Sequence, residues 1–300
     1  MTRPVQHHLV SAGYQRNFGT ADRRLDIVDP RSGEVIKLGR AIRRNWRREH
    51  WHSVIDPTTG SIDTELEETF AKLESRVLDE VRRVRIGHLT PEQVSAIINL
   101  FAIHIARSEM LRPWSDDLSR RVLPNIIQEV SSSPEARVRF EAQFGRPPEA
   151  GELEAIAQQI SDQRSASGEW RRDTIAHNHD GVVDRLKSLH VQIVEVDDSL
   201  PGLAIGDVPV VHANLGDGRF GYRDRLAIGD ADLIMGPLTR RALACFSATR
   251  DANACITTKR KLNDVISLLV RASVREVACH PDDRLNLQRV CRNPPTLRRP

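Results

Sequence analysis

Histidine placed beside arginine is the chemistry that recurs in this chain. The stretch His7-His8-Leu9-Val10-Ser11-Ala12-Gly13-Tyr14-Gln15-Arg16-Asn17-Phe18 offers it first. A neutral imidazole can act as general base, metal ligand or donor to an anion. A guanidinium grips carboxylate or phosphate through paired N–H bonds. Neighbouring strand residues point to opposite faces, so one of His7 and His8 faces a pocket. The competing reading is a docked N-terminal segment with Tyr14 and Phe18 as plugs. His104 and Arg107 stand three apart and share a helix face. A buried guanidinium needs a partner, so Arg107 either binds an anionic ligand or caps a structural carboxylate. Gly206-Asp207-Val208-Pro209 is a tight corner that presents Asp207 at a strand end. Asp207 can equally cap that turn through the local backbone. In the run from Arg40 to His52, Arg43, Arg44, Arg47 and Arg48 surround Trp46. This pattern either grips nucleic acid and stacks on bases or forms a solvated face. Finally, His177 and His179 in His177-Asn178-His179-Asp180 lie about 200° apart on a helix, so they cannot share a metal ion.

These residues have to be held by elements that the pattern predicts. Residues 25–28 and 35–38 read as a hairpin around Asp29-Pro30-Arg31-Ser32-Gly33. Residues 40–62 read as irregular. Leu66, Phe70, Leu73, Val77, Val81 and Val84 recur at helical spacing, with Asp63 as cap. Thr90-Pro91-Glu92-Gln93 is a capping box opening the most apolar helix, which ends before Pro113. Several helices follow from 114 to 190, with breaks near 131–134, 145–148 and 165–168. Short strand-like segments then begin at Val191, Leu203, Val210, Leu233 and Leu243, and Gly236-Pro237-Leu238-Thr239 reads as a turn. A last helix spans Lys259–Glu276, and residues 282–300 read as a tail. The expected architecture is a single α+β domain over 1–281. It has an N-terminal β-hairpin, a central helical region with an insertion at 131–170, and C-terminal short strands and a helix.

Composition fits a soluble globular chain: 39% hydrophobic and 28% charged, with a net charge of +3 too small to imply nucleic acid by itself. The longest apolar run, near Ile97–Ile105, is far short of the roughly 20 residues a bilayer demands. No secretory signal is apparent, and Cys245, Cys255, Cys279 and Cys291 form no C-x-x-C pair. The expectation is a cytoplasmic protein with free thiols. Arginine outnumbers lysine 39 to five, which reads as a base-composition bias of the genome rather than a chemical demand.

Several segments, taken in order, resemble one family, the bacterial domain of unknown function numbered 4238. The resemblance rests on the opening stretch, Trp51-His52-Ser53, the acidic helix with Glu67 and Glu74, and Ile103-His104-Ile105-Ala106-Arg107-Ser108. It continues through Ile205-Gly206-Asp207-Val208-Pro209-Val210, Gly236-Pro237-Leu238-Thr239 and the helix around Asn263. The chain departs from the family pattern at Ser11 (proline there), at Gly13 (an aromatic) and at Ile205-Gly206 (threonine and serine). The resemblance implies that the opening stretch belongs to the domain's core pattern; it supplies no reaction. The combined expectation is a hydrolase-like or ligand-binding protein with a pocket for an anionic, phosphate-containing ligand. His7, His8, Glu67 and Asp207 would do acid–base or metal-assisted work. Arg16, His104 and Arg107 would bind the ligand. The alternative is a non-enzymatic module for nucleic acid or protein, contacting it through Arg43, Arg44, Trp46, Arg47 and Arg48, with the other residues structural. Cofactor and metal stay open, and no membrane partner is expected.

Overall fold

The computed structural model describes residues 6–49, 54–55, 59–84, 89–167, 169–248 and 255–294. The first part of the chain forms β1 (Gln6–His8), α1 (Ala12–Gln15), β2 (Arg24–Val28), β3 (Val35–Ala41), β4 (Arg47–Glu49), β5 (Val54–Ile55) and β6 (Ile62–Asp63). The helical middle is α2 (Glu65–Arg82), α3 (Pro91–Ala106), α4 (Leu111–Ser131), α5 (Pro134–Phe144), α6 (Glu152–Ser167) and α7 (Glu169–Lys187). Then come β7 (His190–Val196), β8 (Ile205–Gly206), β9 (Val211–Asn214), β10 (Arg219–Phe220), β11 (Leu233–Thr239), β12 (Ala242–Ser247) and β13 (Cys255–Ile256). The chain closes with α8 (Lys259–Ala272), β14 (Val277–Cys279) and α9 (Arg284–Arg292). The class is α+β, as the pattern predicts.

One sheet runs in the order β3-β2-β14-β8 and a larger one in the order β10-β9-β11-β12-β7-β13. The most buried helix is α3, which packs between α2 and α7. Thr90 and Gln93 close its capping box reciprocally, at 3.2 and 3.1 Å. Ile97, Leu100, Phe101 and Ile103 are fully buried, each contributing about 1.5–3 kcal/mol by leaving water. The ring of Phe101 lies against β11 where Gly236 has no side chain: a Cβ there would sit 3.0 Å from Phe101 Cζ. No residue from 131 to 170 belongs to either buried cluster among the described residues. Instead α5 and α6 pack on α4 and α7.

Several expectations need correction. Thr64, not Asp63, occupies the cap position of α2, and Asp63 instead accepts the Glu65 N–H at 2.8 Å. Residues 40–62 are not wholly irregular: they hold β4, β5 and the start of β6, because β1 and β6 supply pairing partners. Gly236-Pro237-Leu238-Thr239 is not a turn: it is the end of β11, paired to β12 with a bulge between Pro237 and Thr239. A bulge is where a strand tolerates a residue lacking N–H. The helix expected to reach Glu276 stops at Ala272, because Ser273 turns extended (φ −70°, ψ 142°) and the next residues enter β14. Residues 284–292 are no tail. They form α9, whose Leu287, Val290 and Cys291 are buried and against which the hairpin turn rests. A Cβ on Gly33 would meet Arg292 Cγ at 2.7 Å and the Gln288 carbonyl at 2.8 Å.

Candidate functional site

The opening stretch is docked into the core. Ser11 caps α1 by accepting the Tyr14 N–H at 3.0 Å. Gly13 leaves room for Leu78, whose Cδ1 would lie 2.6 Å from a Cβ. Ser11 and Gly13 thus each have a local use. Tyr14 is buried, donates its hydroxyl to the Pro237 carbonyl, and packs its ring on His104 with centroids 4.6 Å apart. Asn17 Nδ2 donates to the Leu238 carbonyl at 3.0 Å. Upstream, β1 pairs antiparallel with β4, setting His7 opposite Arg48 and His8 opposite Arg47. Arg47 Nε donates to His8 Nε2 at 3.1 Å.

A sealed polar cluster lies between α2 and α3. Glu67 and Glu74 are two turns apart and so share the face of α2 turned to α3. Arg107 ends α3 and is 1% exposed. Its Nη2 is 3.3 Å from Glu67 and its Nη1 3.3 Å from Glu74, while the guanidinium lies 5.0 Å above the Phe70 ring. His104 Nε2 is 3.8 Å from Glu74 Oε1. Burial, and then the Arg107 charge, push the His104 pKa down to about 3. The ring is therefore neutral, and the contact with Glu74 is no ion pair at neutral pH. Burial raises the Glu67 carboxyl against the pull of Arg107. Glu74 Oε1 and Arg107 Nε lack a hydrogen-bond partner among the described residues, while the neutral His104 ring is steadied by the Leu9 backbone. Such groups are uncommon in a folded core and call for an explanation.

A second cluster is open. Arg40, Arg44, Trp46, Arg47, Arg48, Asp207, Arg275 and Glu276 enclose a cleft of 190 Å³. Five arginines face two carboxylates there. Three of the arginines are already paired: Arg40 with Glu276 at 3.4 Å, and Arg48 and Arg275 with Glu109 at 2.6 and 3.4 Å. Arg44 and Arg47 pair with no carboxylate among the described residues. Asp207 serves the cleft as a structural anchor. Its carboxylate accepts N–H bonds from Val274 and Arg275 at 2.8 Å each and from Glu276 at 3.4 Å. Those bonds fix the corner that carries Arg275. Burial raises the Asp207 pKa to about 6; the three N–H bonds oppose it and Glu109 adds to it.

The expected residues thus divide. Glu67, His104 and Arg107 meet in the sealed cluster. Asp207, Arg44, Arg47 and Arg48 meet in the cleft. His8 stands between: burial, then Arg47, lower its pKa to about 4, and Arg107 adds a weaker push. Arg16 and Arg43 are exposed, and neither is among the residues lining the cleft. Trp46 is 4% exposed, so it forms part of the cleft wall and leaves too little ring free to stack on a base. The side chain of His7, and Trp51-His52-Ser53, lie outside the described residues. Glu74 repeats Glu67 at a seven-residue spacing, a signal the sequence carries. Arg40, Glu109, Arg275 and Glu276 join the site only through tertiary pairing, and no local pattern marks them. Among the described residues no group of three or more His, Cys, Asp or Glu is arranged to hold a metal ion, and no helix is long and apolar enough to cross a membrane.

The family model described as a protein of unknown function (DUF4238) matches residues 6–271. No curated protein and no solved structure matches the chain.

Proposed function

The chain belongs to the DUF4238 family of proteins of unknown function, and from that premise we propose that it binds an anionic, phosphate-containing ligand in the arginine cleft. The observation that carries this reading is the excess of cations around an open cavity, with Arg44 and Arg47 left without carboxylate partners among the described residues. Guanidinium groups held this way match phosphate oxygens through charge-assisted pairs. His8 holds Arg47 by accepting its Nε–H, which makes it a positioning residue for binding. The sealed cluster around Arg107 is the frame that fixes α3 behind the cleft. Free Cys245, Cys255, Cys279 and Cys291 fit a cytoplasmic setting.

Titration calorimetry with inorganic phosphate tests this. Binding is expected, and it weakens about tenfold in Arg44→Ala and in Arg47→Ala, the loss of one charge-assisted pair. No binding, or binding indifferent to both substitutions, overturns the reading.

One observation favours hydrolysis as a second reading. His8 is a neutral imidazole in contact with the cleft wall. A ligand that draws Arg47 onto its phosphate releases Nε2 to accept a proton from water. Turnover of bis(4-nitrophenyl) phosphate that disappears in His8→Gln, with phosphate affinity retained, would support it. Absence of turnover with and without added divalent metal leaves binding alone.

A further inference from the structure

A second cavity, of 260 Å³, adjoins the cleft and is mainly apolar within a charged rim. Ile105, Met110, Val208, Val210, Phe220 and Tyr222 supply apolar walls. His212 stands edge-to-face with Tyr222, centroids 4.8 Å apart and planes at 69°, and bonds through Nε2 to the Leu226 carbonyl at 3.1 Å. Burial lowers its pKa to about 4, so it is an uncharged aromatic wall at neutral pH. Exposed Gly218, Arg223, Asp224 and Arg271 form the rim.

The two cavities share their partition. Asp207 lines the cleft and Val208 lines the apolar cavity. Ser108 and Met110 line the apolar cavity, while Glu109 between them pairs with Arg48 and Arg275 of the cleft. Ala272 belongs to one and Arg275 to the other. Adjacent Cα atoms are 3.8 Å apart, so the partition is about one residue thick at two of these three places.

Resting on the phosphate reading above, we infer that the ligand is an aromatic phosphate ester. Its phosphate lies among Arg44 and Arg47, and its ring, set off by a short spacer, lies in the cavity of Tyr222 and His212. Glu109 is the partition the spacer crosses. Nucleotides are one natural group within this class, since a ribose separates ring from phosphate.

Calorimetry with 3-phenylpropyl phosphate, propyl phosphate and inorganic phosphate provides the test. The phenyl compound is expected to bind at least about tenfold tighter than propyl phosphate, because its ring leaves water for an apolar site. That gain should vanish in Met110→Trp, which fills the cavity, and shrink in Phe220→Ala, which removes a wall. Urea midpoints of both variants establish that they are folded. Arg47→Ala should weaken all three compounds. Equal affinity for phenylpropyl and propyl phosphate, with Arg47 still required, overturns this inference and leaves the phosphate reading standing. A ring gain that both cavity variants leave intact also overturns it. Failure of Arg47→Ala to weaken any compound overturns the phosphate reading itself.

Discussion

Arg107 and Arg47 sit at the two ends of one polar system and keep opposite company. Arg107 is 1% exposed and has two carboxylates within 3.3 Å. Arg47 is exposed and has an imidazole for its neighbour. In the sealed cluster anions outnumber the cation, so the arginine is held by its frame. In the open cleft cations outnumber anions, so charge is left for something from solution. Residue type alone does not separate a structural arginine from a ligand-binding one. The local balance of charge and access to water do.

Substitutions can break this contrast. Arg107→Leu leaves Glu67 and Glu74 buried without a cation and should cost about 3–5 kcal/mol, read as a lowered urea midpoint. At temperatures where it remains folded, its phosphate affinity should match the parent. If the variant is stable but binds no phosphate, the sealed cluster is the site and the contrast collapses.

Acid probes the same frame. His104 is held at about 3 in the folded chain against 6.5 unfolded. Unfolding therefore takes up a proton below pH 6.5, so stability is full above that value and is lost as pH falls toward 3. For His104 the loss between pH 6.5 and 5 is about 1–2 kcal/mol, and His8 and His212 act in the same direction. Asp207, raised to about 6 from 3.8, acts the other way between those two values. Equilibrium unfolding of His104→Gln should show a shallower decline over this range, while phosphate binding at neutral pH stays unchanged.

Asp207→Ala leaves three N–H groups without their acceptor and should cost about 1–3 kcal/mol, again in the urea midpoint. It should also weaken phosphate binding, because the corner carrying Arg275 loosens. The smallest effect sharpens the contrast within one run of sequence. Arg43→Ala should leave both affinity and stability within about 0.5 kcal/mol, whereas its neighbour Arg44 matters for binding. Equal losses from both would mean that the whole basic run, and not the cleft, attracts the anion.

Much of the frame is legible from the chain alone. The α2 stripe, the Thr90 capping box and the hairpin at Asp29–Gly33 are local patterns with local causes, and each is found where the spacing puts it. Even the sealed cluster leaves a trace, as Glu67 and Glu74 on one helix and His104 and Arg107 on another. What misleads is chemistry with two meanings. Gly236-Pro237 reads as a turn, yet the glycine admits Phe101 and the proline occupies a bulge. The sequence of α9, rich in arginine, asparagine and glutamine, reads as solvated, although Leu287, Val290 and Cys291 line one buried side. The cleft is illegible for a different reason. It joins Arg40 to Glu276 and Arg48 to Glu109, and no periodicity reports on partners so far apart in sequence.

One strand sets the order in which this protein can mature. β14, only residues 277–279, is inserted between β2 and β8. Until the ribosome has released that segment, β2 has an open edge, and Asp207 lacks the amides of Val274, Arg275 and Glu276. The cleft is then assembled last, by a piece of chain made after nearly everything it touches. A message cut short of codon 274 would yield a chain with most of its helices and no finished binding face, and its bare strand edge would mark it for aggregation or proteolysis.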